Sequence, residues 1–127
     1  MIRTIGFWLA SLMAVLQATN AIRAFADPSG FSAYMGLPLN TVADSGFVMV
    51  YGLRTAFIAC LITLLLAMRR LDVLAWMALV AVMMPVGDAV LAAQAGAPFP
   101  TLLRHGLIGV YLIVAFAFLR QAKDRVA

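Results

Sequence analysis

Four stretches of this chain are apolar and long enough to cross a membrane, and together they use almost all of its length. A membrane-spanning helix needs about 20 mostly apolar residues, so 127 residues hold four spans and little else. We place these spans at residues 4–25, 45–68, 73–94 and 101–119. The sequence therefore predicts a single all-α domain over residues 1–127, an integral membrane four-helix transmembrane bundle.

The composition excludes an ordinary soluble domain. Hydrophobic residues make up 65% of the chain and charged residues 11%, with a mean hydropathy of +1.05, whereas globular sequences carry roughly 25% charged residues. In a membrane protein the net charge of +4 mainly reports orientation, so it does not indicate nucleic-acid binding. The single cysteine, Cys60, and the single histidine, His105, predict no disulfide, no metal and no cofactor.

The first span and the connection that follows it each allow two interpretations. Arg3, the apolar run after it and Ala24-Phe25-Ala26 resemble a cleavable secretory signal, but Asn20 and Arg23 just before that cut favour a retained span. The connection from residue 31 to residue 44 is too polar at its ends to span. We expect it to lie along the membrane interface or to form a short re-entrant turn.

The basic residues are distributed asymmetrically between the two ends of the spans. Arg23 and Arg104 lie at one end and Arg54 lies within a span. At the other end are Arg3, Arg69, Arg70, Arg120, Lys123 and Arg125. The positive-inside rule then places both termini in the cytoplasm. We expect a multi-pass protein of the cell inner (plasma) membrane.

Polar residues interrupt the spans, and all of them lie towards the end away from the termini. They are Asn20, Arg23, Arg54, Asp88 and His105. A charged residue in the middle of a span costs about 2.5–3.5 kcal/mol on insertion scales and usually marks a pair or a functional site. The helical rise puts Arg54 roughly 13 Å and Asp88 roughly 9 Å below the outer ends of their spans. We therefore predict that the two lie within salt-bridge reach, through hydrogen bonds or one water, either as a structural pair or as a pair that also serves a ligand.

The third span carries a helix breaker next to its acidic residue. Pro85 cannot donate a hydrogen bond to the carbonyl of Ala81, so it should kink the helix just before Asp88 and splay it from its neighbours. Phe47 and Tyr51 precede Arg54 on one helical stripe, where they would form an aromatic rim above it. These features predict a cavity of a few hundred Å3, the usual scale of small-ligand sites. We expect it to be bounded by Asn20, Arg23, Tyr51, Arg54, Asp88 and His105.

Several short motifs also run along the chain in a characteristic order. They are Asn20-x-x-Arg23-Ala24, Asp27-Pro28, Gly36-Leu37-Pro38, Val50-Tyr51-Gly52-Leu53-Arg54, Asp88 and His105. Together they resemble a family of small four-helix membrane proteins known as a domain of unknown function, which we associate with the broader DoxX-like group. The resemblance implies a membrane-embedded four-helix bundle and carries no activity. Members often follow the tyrosine–glycine–x–arginine motif with an acidic residue, where this chain has Thr55.

Three functions remain open at this stage. The first is binding of a lipid or small amphiphilic molecule with an anionic or carbonyl head, with Asp88 and His105 as candidate catalytic residues if the ligand undergoes acid–base chemistry. The second is a structural or accessory subunit, whose polar residues lock the bundle, a homo-oligomer or a partner membrane subunit. The third is a proton-coupled transporter using Asp88, which the lack of a polar path in the other half of the spans disfavours. Motifs for phosphate binding, zinc hydrolysis or a nucleophilic serine are absent from the sequence.

Overall fold

The computed structural model describes the backbone of residues 1–124 and the side chains of residues 1–122. Within that part the chain is helical and contains no strand. Lys123 and Arg125, which contribute to the basic asymmetry of the sequence, lie outside the described side chains. A 3-10 turn, Val42–Asp44, precedes the third α-helix. The α-helices are α1 (Ile2–Ala26), α2 (Pro28–Tyr34), α3 (Ser45–Ala67), α4 (Leu71–Ala81), α5 (Met83–Gln94) and α6 (Phe99–Asp124).

Four helical segments are long and apolar enough to cross a membrane, which confirms the predicted fold class. They are Ile2–Ala26, Val42–Ala67, Leu71–Gln94 and Phe99–Ala122. The last begins two residues before the predicted start, so Thr101 lies inside the first turn of α6 and does not precede the helix. Pro100 permits this start because the first turn of a helix does not need its N–H as a donor.

The predicted interruption of the third span is confirmed. The helix breaks at Val82, whose N–H donates to the carbonyl of Leu79 at 3.3 Å, and the next bond, from Val86 to the carbonyl of Val82, is long at 3.4 Å. Pro85 is the cause, since its ring removes one donor and crowds the preceding turn. Pro85 is buried against α6, where a Cβ at position 109 would lie at an ordinary contact distance of 3.8 Å from Pro85 Cγ.

Small residues decide which helices pack together. α1 and α3 form the most extensive helix pair, along a buried stripe of Ala21 and Ala24 on α1 and Gly52, Thr55 and Ala59 on α3. A Cβ at Gly52 would lie only 3.0 Å from the Cβ of Ala24, so the helices approach closely there, as small residues allow in membrane helices. α4 and α5 pack on α6, which also packs on α1. α3 and α5 have no extensive contact.

The bundle has two distinct ends. We call the end with residues 27–44 and 95–98 the connection end, and the end with the N-terminus and residues 68–70 the terminal end. The main apolar core lies between the middle of the bundle and the terminal end. Its buried members are Ala10, Met13, Ile62, Leu66, Leu71, Leu74, Ala75, Ala78, Leu112, Leu119 and Ala122.

The connection after α1 folds onto the helices. Asp27 caps α2 by accepting a hydrogen bond from the N–H of Gly30 at 3.0 Å. Gly36 then ends the turn with φ +85, a left-handed conformation that favours glycine. A Cβ at Gly36 would lie 2.9 Å from Thr101 Cγ2 and 3.0 Å from Ala92 Cβ, so the backbone is pressed against α5 and α6.

Candidate functional site

A buried histidine ties the connection to α6. His105 is 8% exposed, and its ring Nε2 lies 3.1 Å from the carbonyl oxygen of Met35. Because a carbonyl only accepts, Nε2 carries the proton and donates it, which leaves Nδ1 free for another partner. The carboxylate of Asp88, on α5, lies within electrostatic range of both His105 and Tyr51. Tyr51, Asp88 and His105 thus lie at the same end of the bundle, on three different helices.

Two arginines stack on one tyrosine ring at the same end of the bundle. Arg23 Cζ lies 4.2 Å from the ring centroid of Tyr34, and Arg104 Cζ lies 3.9 Å from it. Arg104 also donates through Nη2 to the carbonyl oxygen of Tyr34 at 2.7 Å and to Thr101 Oγ1 at 3.2 Å. We call Arg23, Tyr34 and Arg104 the arginine–tyrosine stack. Of these, only Arg23 is among the residues predicted for the site.

Phe31 connects the arginine–tyrosine stack to Tyr51. It is 2% exposed, and its ring centroid lies 6.4 Å from that of Tyr34 and 5.6 Å from that of Tyr51. Ser32 next to it is buried and donates its hydroxyl to the carbonyl of Leu37. Sequence reasoning missed this part of the site. The signal was present in the three-residue spacing of Phe31 and Tyr34, which places both rings on one face of a helical turn.

A direct salt bridge between Arg54 and Asp88, the first of the two predicted forms of contact, is not found. Within the part of the chain that has described side chains, the salt bridge joins Arg70 and Asp72 instead. The Arg54 side chain is exposed. The reason is the rotation of α3: the buried Thr55 faces α1, and one residue along a helix turns the side chain by about 100°. Similar depth along the spans therefore did not bring the two charges to facing surfaces.

The Arg70–Asp72 pair belongs to the turn between α3 and α4. Arg70 Nε lies 3.2 Å from Asp72 Oδ1, and both side chains are exposed by a third or more. The neighbouring carboxylate raises the pKa of the Arg70 guanidinium above its usual value. Exposed pairs of this kind contribute little to stability, so the pair is a feature of the turn and not of the candidate site.

Two other predicted contacts are not found. Phe47 is 79% exposed and does not cover Arg54, whereas Tyr51, the other residue of the predicted rim, packs on Phe31. Asn20 is half-buried and makes no side-chain hydrogen bond with any described residue. Both residues lie at the connection end, but neither is fixed by a partner there.

A cavity of about 260 Å3 lies between α1, α3, α4–α5 and α6. Its size agrees with the prediction, but its place does not, because none of the six predicted residues lines it. The wall is apolar except for Gln17 and Tyr111, and the hydroxyl of Tyr111 is already donated to the carbonyl of Leu9. Gln17 makes only a weak contact, 3.7 Å from its Nε2 to Met13 Sδ.

The cavity and the predicted polar residues occupy neighbouring layers of the bundle. On two helices a predicted residue stands three or four positions from a residue of the cavity wall, so the two share a helical face about one turn apart. The pairs are Asn20 and Gln17 on α1 and Asp88 and Met84 on α5. The polar layer lies on the side of the connection end.

A second, more open groove of about 590 Å3 lies along the α1–α3 pair. Its lining is apolar and includes Ala21, Ala56, Ala59 and Cys60. No polar layer from several helices adjoins it. Among the described residues, no group of three histidine, cysteine, aspartate or glutamate side chains is arranged to hold a metal ion.

Residues 5–119 match the profile of the domain of unknown function DUF4267, so the chain belongs to this family. The match covers nearly all of the four candidate spans and the whole connection between α1 and α3. No curated protein and no solved structure matches the chain. The family assignment confirms the resemblance to a small family of unknown function and supplies no activity.

Proposed function

We propose that this protein is a multi-pass membrane protein that binds a small amphiphilic molecule. The apolar part of the ligand occupies the 260 Å3 cavity, and its polar head lies in the adjoining layer of Asn20, Tyr51, Arg54, Asp88 and His105. The observation that carries the proposal is this adjacency of an apolar cavity and a polar layer on the same helix faces. An amphiphile likewise has an apolar part joined directly to a polar head.

The packing of the helices supports entry from the membrane. α3 packs mainly on α1, while α4 and α5 pack mainly on α6, so the seam between α3 and α4–α5 is the least closed side of the bundle. Ile58 and Ile62 on one side of that seam and Met77, Val80 and Met83 on the other line the cavity. A ligand dissolved in the lipid reaches the cavity through this seam without crossing water.

The polar layer favours a head group that is anionic or carries a carbonyl. Arg54 brings positive charge to this end, and His105 has one ring nitrogen without a described partner. Asp88 and His105 are the groups that would transfer a proton if the ligand is converted, since they lie within electrostatic range of each other. In the opposite half the described side chains form no comparable polar path, which weakens proton transport.

The cavity is tested by filling it. We expect wild-type protein in detergent to bind a spin-labelled fatty acid saturably, and Ala78→Phe, whose ring enters the cavity, to weaken that binding at least tenfold. Ala56→Phe is the matched control because Ala56 lines only the open α1–α3 groove. Equal binding by both variants would exclude the cavity as the site. No saturable binding by the wild type would leave the structural or accessory role, in a homo-oligomer or with a partner subunit.

The orientation is a second part of the proposal. Arg3, Arg69 and Arg70 gather at the terminal end, which favours a cytoplasmic location for both termini in the cell inner membrane. In a Cys60→Ala background, Met68→Cys, at an exposed position of the terminal end, should react with an impermeant maleimide only in inverted vesicles. Val42→Cys, 88% exposed at the connection end, should react only in right-side-out vesicles. The reverse pattern would overturn the orientation.

The relation to the DoxX-like group belongs to the same proposal. It rests on the shared order of Asn20, Arg23, Arg54, Asp88 and His105 along four apolar helices. An experimental structure of a DoxX-like protein with equivalent residues in one polar layer next to an apolar cavity would support it. A different helix packing order would separate the two families.

A further inference from the structure

We infer that the arginine–tyrosine stack binds the phosphate of a membrane phospholipid head group. None of its three residues lines the proposed cavity or belongs to the layer of Asn20, Tyr51, Arg54, Asp88 and His105 assigned to the ligand head, so the site is separate from the proposed one. It would hold a lipid of the bilayer at the surface of the bundle. The inference rests on the geometry of the stack, on its uncompensated charge and on its position.

The geometry places two cations on the one aromatic ring of Tyr34. Guanidinium carbons at 4.2 and 3.9 Å from one centroid both lie directly over the ring. Two groups that close cannot share a face without overlapping, so they lie on opposite faces of Tyr34. Arg104 uses only Nη2 and Arg23 makes no hydrogen bond with a described residue, so N–H groups of both guanidinium groups are available to an anion. Arginine matches phosphate through paired N–H donors.

The two arginines have no described carboxylate partner. Neither lies within 4.0 Å of an acidic group among the described side chains. The two aspartates of the connection are engaged elsewhere: Asp27 accepts from the N–H of Gly30 at 3.0 Å, and Asp44 accepts from the N–H of Thr41 at 3.0 Å. Two positive charges thus share one aromatic ring without a counter-ion from the protein.

Most of the donors of these arginines are also unused. Arg104 engages described acceptors through Nη2 alone, and Arg23 makes no hydrogen bond with any described residue. The opposite end of the bundle offers a contrast, because Arg120 stands alone over Trp76 at 4.8 Å. On Tyr34 a second arginine is present, and its charge has no described counter-ion. Arg23 also lies 5.7 Å from the ring centroid of Phe31, which holds it beside the stack.

The position of the stack favours a lipid as the source of that anion. Arg23 lies in the last turn of α1, at the end of a candidate span, and Arg104 lies near the start of α6. Their neighbours Ile22 and Leu103 are 67% and 48% exposed, as expected for side chains that contact acyl chains. A phospholipid held by its phosphate would lay its chains along these exposed apolar residues.

The experiment measures lipid retention by native mass spectrometry of the whole protein in detergent. The probes are phosphatidylglycerol and a galactolipid with the same acyl chains and no phosphate. We expect the wild type to retain phosphatidylglycerol at least tenfold better than the galactolipid, and Arg23→Gln and Arg104→Gln to lose most of that preference. Arg120→Gln, with its single arginine on a ring, is the matched control and should keep it.

Three other results of this experiment would each overturn a part of the inference. Since Arg23 makes no hydrogen bond with a described residue, Arg23→Gln should fold, and unchanged retention by this variant would overturn the site. Equal retention of the two lipids would overturn the phosphate. Full displacement of the lipid by excess inorganic phosphate would overturn the assignment to a lipid. Ala78→Phe should retain phosphatidylglycerol. Failure of the cavity proposal and failure of the phosphate proposal therefore give different results.

Discussion

The two halves of the bundle are held together by different kinds of contact. Towards the terminal end, Leu74 and Leu119 are 3% and 1% exposed in an apolar core, and the described salt bridge lies outside it in an exposed turn. Towards the connection end, His105 and Arg104 bind the carbonyls of Met35 and Tyr34. Apolar packing has no direction and tolerates a cavity, whereas hydrogen bonds to fixed carbonyls hold one arrangement.

The comparison shows that the polar residues of the connection end have a structural role before any role in ligand binding. Arg104 bonds Tyr34, the last residue of α2, and His105 bonds Met35, the residue after it, so they fix the connection onto α6. Phe31 and Gly36 complete that attachment from the side of the connection. A polar layer held in this way is available for the head of the proposed ligand. The half that is held by apolar packing contains the cavity for its tail.

The largest effect should come from the point where the connection is pressed against the helices. Gly36→Ala combines the cost of a left-handed conformation, about 1–2 kcal/mol, with overpacking against Thr101 and Ala92, about 1–3 kcal/mol. Gly96→Ala is the control, because Gly96 has φ +77 but nothing within 4 Å of a Cβ, and it should lose only about 1–2 kcal/mol. Unfolding in mixed detergent measures both. Equal losses would mean that the connection does not pack as described.

A second test asks whether close helix packing matters as much within the connection half. Gly52→Ala places a Cβ 3.0 Å from that of Ala24 and should destabilise the bundle by about 1–3 kcal/mol through overpacking. Gly46→Ala on the same helix meets nothing within 4 Å and should gain up to about 1 kcal/mol from helix propensity. The same unfolding assay compares them. A neutral Gly52→Ala would show that α1 and α3 separate easily.

The smallest effects distinguish the two possible partners of Asp88. A double-mutant cycle of Asp88→Asn with His105→Gln should give a coupling energy of about 0.5–3 kcal/mol, the range for neighbouring groups. The cycle of Asp88→Asn with Arg54→Gln should give less than about 0.5 kcal/mol, as for independent sites. Unfolding free energies of the single and double variants supply both values. A larger coupling to Arg54 would restore the salt bridge that the structure does not contain.

The sequence by itself determined the number, type and approximate limits of the spanning helices. Length and hydropathy are properties of a segment, so four apolar stretches are enough to predict four helices. Pro85 fixed the place of the break in the third span, because a missing N–H acts locally. The motifs around Asn20, Gly52 and Asp88 indicated the family. All of these features can be read without knowing what any side chain contacts.

Only the tertiary structure decided which faces meet. Helices that are apolar on every side carry little sequence signal for their orientation, so depth alone suggested that Arg54 would face Asp88. The small residues Gly52 and Thr55 turn α3 towards α1, and this rotation leaves Arg54 exposed. The fold of the connection, with Tyr34 between two arginines, likewise depends on contacts between residues far apart in the chain. Such contacts are set by packing, which a pattern along one helix does not record.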